Sequence, residues 1–328
     1  DIAAPSISDA TLLAIQDANS NKDLVGDTLT TYLVDYRGYG YIGINANLVN
    51  VGGDPASEAS KNLRKGIMTV LSVYRETVIN SYYGDRASVI QYPISNTSWA
   101  APQPTDVGYQ IAYSRDVNGN SIYDASMNDE QKYEAALQAA VGFFQAAGYT
   151  WDGSKFTAAP EGAKMVYEFL VPGSGEQDHP AYGIAVGASE ALEKIGITLM
   201  VNDCTSTTWN NALEANTADL WCAAWQSTVD PDMYQVYHST NADGKGTNSN
   251  HYQVKDADLD ALIIAGRGSS DTDFRKATYK KAMEIIMDWG VELPTYQRKD
   301  CYVTSSKRID NSTMPKDMTP YWGWAAEI

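Results

Sequence analysis

Apolar positions along this chain recur with two periods, and the changes of period mark its elements. Period-two or unbroken apolar runs predict strands over 28–34, 40–45, 165–171, 197–201 and 220–225, and 292–309 returns as extended chain. Spacings of three and four predict helices over 8–18, 60–78, 180–195, 207–215, 256–265 and 273–289, with one more ending at Gly148. Leu12, Leu13 and Ile15 form the apolar face of the first, and Leu63, Ile67, Val70, Leu71, Tyr74 and Val78 that of the second. Asn128 and Gln131 make a capping box for a helix that buries Tyr133, Leu137, Val141 and Phe144, while Pro180 opens the next helix and Gly196 closes it. The turns are as plain: Asn19-Ser20-Asn21-Lys22, and Gly52-Gly53-Asp54-Pro55 ahead of the second helix. Strands alternate with helices from Met165 to Tyr237, which predicts parallel βαβ units and helices on both faces of a sheet.

One strand ends differently from the others. Residues 220–225 are six apolar residues in a row, the pattern of a strand buried on both faces, and 226–229 then form a polar or β-branched loop. Asp230-Pro231 reads as an N-cap with proline at the first helical position, so a helix should run through Met233 and Tyr237. Ligands of open α/β sheets collect beyond the carboxyl ends of strands, where loop side chains and helix N-terminal amides face one crevice. The Tyr- and Pro-rich loop over 81–105 is long enough to suggest a functional role, and its Trp99 is a candidate second wall.

Composition narrows the partners. Net charge is −17, from 24 Lys plus Arg against 41 Asp plus Glu, and no basic block appears, which argues against nucleic acid and anionic membrane surfaces. Tyr is abundant, at 22, against 5 Phe, so the aromatic surface carries polar handles suited to clefts or interfaces. Cys204, Cys222 and Cys301 form no CxxC pair and read as three small buried residues or as one bridge of unassigned pairing. No apolar run approaches the ~20 residues of a membrane span, no charged-then-apolar signal opens the chain, and Asp1-Ile2-Ala3-Ala4-Pro5 looks like a start inside a longer protein.

Motifs for catalysis or cofactors are weak. Gly38-Tyr39-Gly40-Tyr41-Ile42-Gly43 has the spelling of a dinucleotide fingerprint but no helix after it, so it reads as a glycine-rich aromatic strand. Asp116-Val117-Asn118-Gly119-Asn120 lacks the glycine and glutamate of a calcium loop, having Ser121 and Met127 there, and reads as an Asn-Gly turn. His179, His238 and His251 have no zinc spacing, and neither a G-x-S-x-G elbow nor a phosphate loop occurs. Asp230 and Asp232 read first as capping residues, although a glycosidase pair across a cleft stays open. No metal or cofactor is expected, and no enzyme activity.

Several stretches together resemble the extracellular solute-binding proteins of family 5, the dipeptide, oligopeptide and nickel-binding proteins that feed ABC importers. They are Tyr41-Ile42-Gly43-Ile44-Asn45, Asn62-Leu63-Arg64-Lys65-Gly66 continuing to Tyr74-Arg75-Glu76-Thr77-Val78-Ile79, Phe144-Gln145-Ala146-Ala147-Gly148-Tyr149, Ala191-Leu192-Glu193-Lys194-Ile195-Gly196-Ile197, Trp225 with Asp230-Pro231-Asp232, Asn250-His251-Tyr252, and Phe274-Arg275-Lys276 through Pro294. They keep the family's order and span nearly the whole chain.

The resemblance implies an α/β protein with the type II periplasmic-binding fold, mainly lobe two with fragments of lobe one. Residues 1–45 would be the end of lobe one and a crossover strand, 46–293 lobe two, and 294–328 the return crossover and tail of lobe one. It also implies a non-catalytic importer receptor that closes over an oligopeptide or other small molecule. Its partner would be an ABC permease, reached through the full-length receptor. Such a receptor is extracellular or periplasmic, or a cell-surface lipoprotein whose lipid anchor is absent from this chain. Peptide-binding relatives carry an aspartate three residues after the matching tryptophan, paired with the peptide amine; here Thr228 stands there, in a loop one residue shorter. A peptide would then need another anchor, Asp230 or Asp232, because a buried ammonium without a carboxylate is costly. Trp225 suits stacking on an apolar, aromatic or sugar face, and Gln226, Ser227 and Thr228 offer neutral hydrogen bonds. An oligosaccharide receptor of the same fold and a carboxylate-dependent glycoside hydrolase are the alternatives.

Overall fold

Alternation along the central strands sends their side chains to two separate cores. The computed structural model describes residues 1–5 and 9–314; the predicted helix start at Ser8 and the tail over 315–328 lie outside them. Its main sheet has the order β1 (Ile2–Ala3), β10 (Glu292–Ser305), β3 (Gly38–Ile44), β9 (Leu220–Gln226), β7 (Val166–Val171) and β8 (Thr198–Asp203). β2 (Leu29–Asp35) and β4 (Ala87–Val89) also pair with β10, and β5 (Thr150–Trp151) with β6 (Phe156–Ala158) makes a separate two-stranded sheet. β7 runs parallel to β8 and β9, as the βαβ pattern predicts, whereas β3 is antiparallel to both β9 and β10.

Ile42, Ile44, Phe169, Val171, Leu220 and Cys222 point into one core, packed by α2 (Glu58–Val73), α4 (Asp129–Ala146) and α5 (Pro180–Lys194). Tyr39, Tyr41, Leu170 and Trp221 point the other way, toward α7 (Tyr234–Tyr237), α8 (Ala257–Arg267) and α9 (Thr272–Trp289). A smaller cluster of Ile15, Cys301 and Val303 lies between α1 (Asp9–Ala18) and the far half of β10. α6 (Ser206–Glu214) follows β8, capped by the Thr205 side chain.

Local signals set many boundaries. The Asn128–Gln131 capping box is present with both of its hydrogen bonds, and Gly196 takes the left-handed φ of 82° just past α5. The helix expected over 60–78 is instead two helices, α2 and α3 (Arg75–Tyr83), which meet at Tyr74. Arg75 Nε takes the Ser72 carbonyl at 3.1 Å, and its NH1 reaches the carbonyls of Ile90 and Pro294, so the backbone turns to serve a buried guanidinium. α3 also absorbs the first residues assigned to the 81–105 loop.

The glycine-rich strand reading of 38–43 holds. A Cβ at Gly40 would run into the Tyr296 ring, and one at Gly43 into the Trp221 indole, so these glycines admit large aromatics from β10 and β9. Asp116 accepts the backbone N–H groups of Asn118 and Asn120 around Gly119, the expected turn. All three cysteines are buried free thiols.

Candidate functional site

β9 outruns its parallel neighbour. β7 pairs with it only at Leu220 and Trp221, and the strand then continues to Gln226 against β3 alone, with Tyr39 opposite Trp225 and Gly38 opposite Gln226. Its carboxyl end therefore overhangs the sheet, so the run expected to be buried on both faces is buried only over Leu220, Trp221 and Cys222, and Ala224 and Gln226 are exposed. A cavity of about 340 Å³ opens at this overhang. Trp225, Gln226, Ser227, Thr228, Asp230 and Asp232 line it, together with Tyr39 from β3, Met233 and Tyr237 from the segment that follows, and Pro93, Ile94 and Ser98 from the long loop.

Each side chain is held by a separate device. The Trp225 ring stacks on Tyr41 at 5.8 Å and 5° between planes, and its Nε1 donates to the Tyr252 hydroxyl at 3.4 Å. Gln226, with its amide oriented by its neighbours, accepts from Arg37 Nε and NH2 at 3.1 and 2.7 Å, and Ser227 N donates to the Arg37 carbonyl. Thr228 Oγ1 donates to the Asp230 carbonyl at 2.6 Å and closes the short loop. Trp99 is not among the residues lining this cavity; it is 38% exposed, with the Arg275 guanidinium over its ring at 5.3 Å.

The helix expected from Asp230 does not form there. The chain stays irregular through Met233, and α7 is a single turn. Asp230 is drawn away by Arg275, whose NH2 meets both carboxylate oxygens at 2.8 and 2.9 Å, and without the cap Pro231 starts no helix. Asp232 Oδ1 accepts the Tyr234 N–H at 3.0 Å, and its other oxygen meets Arg267 Nε at 3.1 Å. Both candidate anchors thus already have cationic partners.

A carboxylate that no spacing rule singled out lies behind the cavity wall. Glu292, the first residue of β10, is fully buried; Tyr237 donates to its Oε2 at 2.6 Å and Tyr39 to its Oε1 at 3.2 Å. No arginine or lysine is paired with it among the described residues. Burial pushes its carboxyl up to about 7, against the pull of the Tyr237, Tyr252 and Tyr39 hydroxyls. Burial and the nearby Glu292 in turn hold the Tyr39 and Tyr237 hydroxyls well above the ordinary tyrosine range. The signal for this site was a charged residue inside the apolar run Val291-Glu292-Leu293-Pro294.

The remaining candidates lie elsewhere. His179 accepts the Ala181 N–H through Nδ1, and Cys222 Sγ lies 3.7 Å away; burial lowers the imidazole pKa, in keeping with that acceptor role. Among the described residues no group of three His, Cys, Asp or Glu is arranged to hold a metal. A larger cavity, about 630 Å³, lies between α2, α9 and residues 110–119, but Lys65 and Asp288 on its wall pair with each other.

Three comparisons with known proteins agree. The family model described as "Bacterial extracellular solute-binding proteins, family 5 Middle" matches residues 1–247. A relative from Agrobacterium fabrum, "Probable peptide-binding protein YejA", is 23% identical over 177 residues, which are 53% of this chain and 28% of the relative. The oligopeptide-binding protein AppA from Bacillus subtilis, solved with a nonapeptide, is 19% identical with a TM-score of 0.61, covering 90% of this chain and 53% of its own. NikZ from Campylobacter jejuni, solved with Ni(L-His), is 18% identical with a TM-score of 0.63, covering 92% and 51%. This chain therefore spans about half the length of the solved relatives and less of the curated one, and its fold is the type II periplasmic-binding fold of those structures. With three quarters of its length matched by the family model, the chain belongs to the bacterial extracellular solute-binding proteins of family 5.

Proposed function

We propose that this chain is the ligand-gripping part of a non-catalytic receptor that delivers oligopeptides to an ABC importer. The observation that carries the reading is the cavity at the overhanging end of β9, in a chain of this family, walled by Trp225, the 226–232 loop and the long loop at Ser98. Trp225 offers a half-buried aromatic face, and Gln226, Ser227 and Thr228 offer neutral polar groups at the same opening. Residues 46–293 form the second lobe; 1–45 and 294–328 belong to the first. The small separate core of Ile15, Cys301 and Val303 supports that division. Ligand bridges both lobes and shifts the open and closed populations by its preference for the closed form. The receptor works outside the cytoplasmic membrane, held there by a lipid anchor or free in a periplasm, and docks on a permease.

Asp230 and Asp232, each paired with an arginine, shape the wall and leave a peptide ammonium to be met elsewhere. The test is native mass spectrometry of the complete receptor against a peptide pool and an oligosaccharide pool. Peptide adducts lost on Trp225→Ala are expected. Retention of oligosaccharides alone would move the reading to a sugar receptor, and no adduct from either pool would overturn it.

A further inference from the structure

The cavity's inner wall is made partly of Tyr39 and Tyr237, and both hydroxyls end on one buried carboxyl. We propose that Glu292 is a specificity residue acting from behind the pocket: through Tyr39 and Tyr237 it sets whether that wall accepts or donates hydrogen bonds, so that its protonation selects the ligand group. The inference rests on the cavity being the ligand site, and it concerns which chemistry the site takes.

The argument is one of hydrogen-bond inventory. A tyrosine hydroxyl has one proton to give and two lone pairs, while an ionised carboxylate only accepts. With Glu292 ionised, both hydroxyl protons are committed to it, at 3.2 and 2.6 Å, and only lone pairs remain for any further partner. The wall then favours a donor such as an ammonium or an amide N–H. With Glu292 protonated, the carboxyl gives a proton to one tyrosine, and that hydroxyl is released to donate. The 3.4 Å contact between the Tyr39 and Tyr237 hydroxyls can form with either one as the donor.

The groups facing Glu292 leave it free to titrate near neutrality. β3 presents Tyr39 and Tyr41, α7 presents Tyr237, and the 242–256 segment presents Tyr252, while the Tyr113 hydroxyl donates to the Glu292 backbone carbonyl at 2.8 Å. The buried cations of neighbouring helices are bound elsewhere. Arg64 serves the carbonyls of Trp289, Val49 and Pro55, and Arg75 those of Ser72, Ile90 and Pro294 together with Gln91. Burial without a counter-ion places the carboxyl at about 7, inside the working range of pH.

The experiment follows the glutamate carboxyl carbons and the Tyr39 and Tyr237 ring signals by NMR from pH 5 to 9, with Glu292→Gln assigning the carboxyl. A pool of random pentapeptides is titrated in parallel. We expect one carboxyl with a near-neutral midpoint, missing in the variant, and both tyrosine signals moving with that midpoint. Pentapeptide affinity should weaken about tenfold from pH 8.5 to 5.5 in the native protein and stay level in Glu292→Gln. Tyr237→Phe, which keeps the carboxyl, should blunt the same profile if the glutamine variant folds poorly. A Glu292 midpoint in the ordinary carboxylate range, or tyrosine signals indifferent to it, overturns the proposal, as does an unchanged affinity profile in Glu292→Gln. Tyrosines that follow Glu292 while no pentapeptide binds at any pH would sustain the coupled wall and sink the peptide reading instead.

Discussion

Arg275 grips Asp230 through a single nitrogen, which meets the two carboxylate oxygens at 2.8 and 2.9 Å, while its guanidinium lies over the Trp99 ring. This one side chain ties the loop after β9, the long loop and α9 together at the mouth of the cavity. Asp230 is largely exposed, so the ion pair itself contributes little, about 0.5 kcal/mol. Arg275→Ala should therefore lower the melting temperature by only a few degrees, yet speed hydrogen exchange selectively at residues 95–100 and 226–231. Uniform loss of protection across the sheet would contradict this.

Stability should depend on Glu292 in a defined pH window. Its carboxyl is raised from 4.5 in the unfolded chain to about 7 when folded, so its contribution is complete below about pH 4.5 and is lost as pH rises through 7. Against Glu292→Gln, which does not titrate, the native protein should lose about 3 kcal/mol across that interval. Asp288 moves in the opposite sense. Burial works to raise its carboxyl, but Lys65 and Lys61 hold it below the usual range, so its contribution is lost as pH falls below that range. Urea unfolding of both proteins at pH 4.5, 6 and 8 reads the difference directly, and parallel pH profiles would refute it.

Trp225→Ala should separate binding from folding. The side chain is half-buried and stacked on Tyr41, so its loss should cost about 1–2 kcal/mol of stability and leave a cooperative transition. If the ring faces ligand, peptide affinity should drop at least tenfold, measured by calorimetry well below the melting temperature. A large stability loss with unchanged affinity would make Trp225 a core residue only.

Gly43→Ala tests why the strand is rich in glycine. The new methyl would enter the Trp221 indole in the centre of the sheet, where the partner ring is fully enclosed, and about 2–3 kcal/mol of destabilisation is expected. Gly53→Ala meets open space, and its cost should come only from the left-handed φ of 70°, about 1 kcal/mol. Equal effects in chemical denaturation would argue against packing as the cause.

What the sequence made legible was local or periodic. The Asn128–Gln131 box and Gly196 after α5 depend on neighbours a few residues away, and each appears where the pattern put it; β9 begins where its apolar run does, but that run is buried only over Leu220, Trp221 and Cys222 because it outlasts its parallel neighbour. The sheet's two cores likewise follow from alternation. The rest was set by partners far along the chain. Asp230 had the right neighbour for a cap, but Arg275, 45 residues on, claimed it. The break at Tyr74 answers to Ile90 and Pro294, and the Glu292 cluster gathers residues from β3, α7 and the 242–256 segment. No window of the sequence contains such sets. Trp225 to Asp232 could be named as one stretch because they are one stretch; Tyr39, Tyr237 and Glu292 could not.

β10 runs through every antiparallel pairing of the main sheet except that of β3 with β9, and its partners β1, β2, β3 and β4 all come from residues 2–89. The middle of the sheet is thus closed by a segment made more than two hundred residues after the strands it joins. Until residues 292–305 are synthesised, the edges of β2 and β3 stay open and Tyr39 has no carboxylate to meet. Loop-closure entropy of that span must be met before any pairing of β10 is gained, so refolding should be slow and late-closing. A nascent chain at that stage offers exposed strand edges to a chaperone, or to another copy of itself.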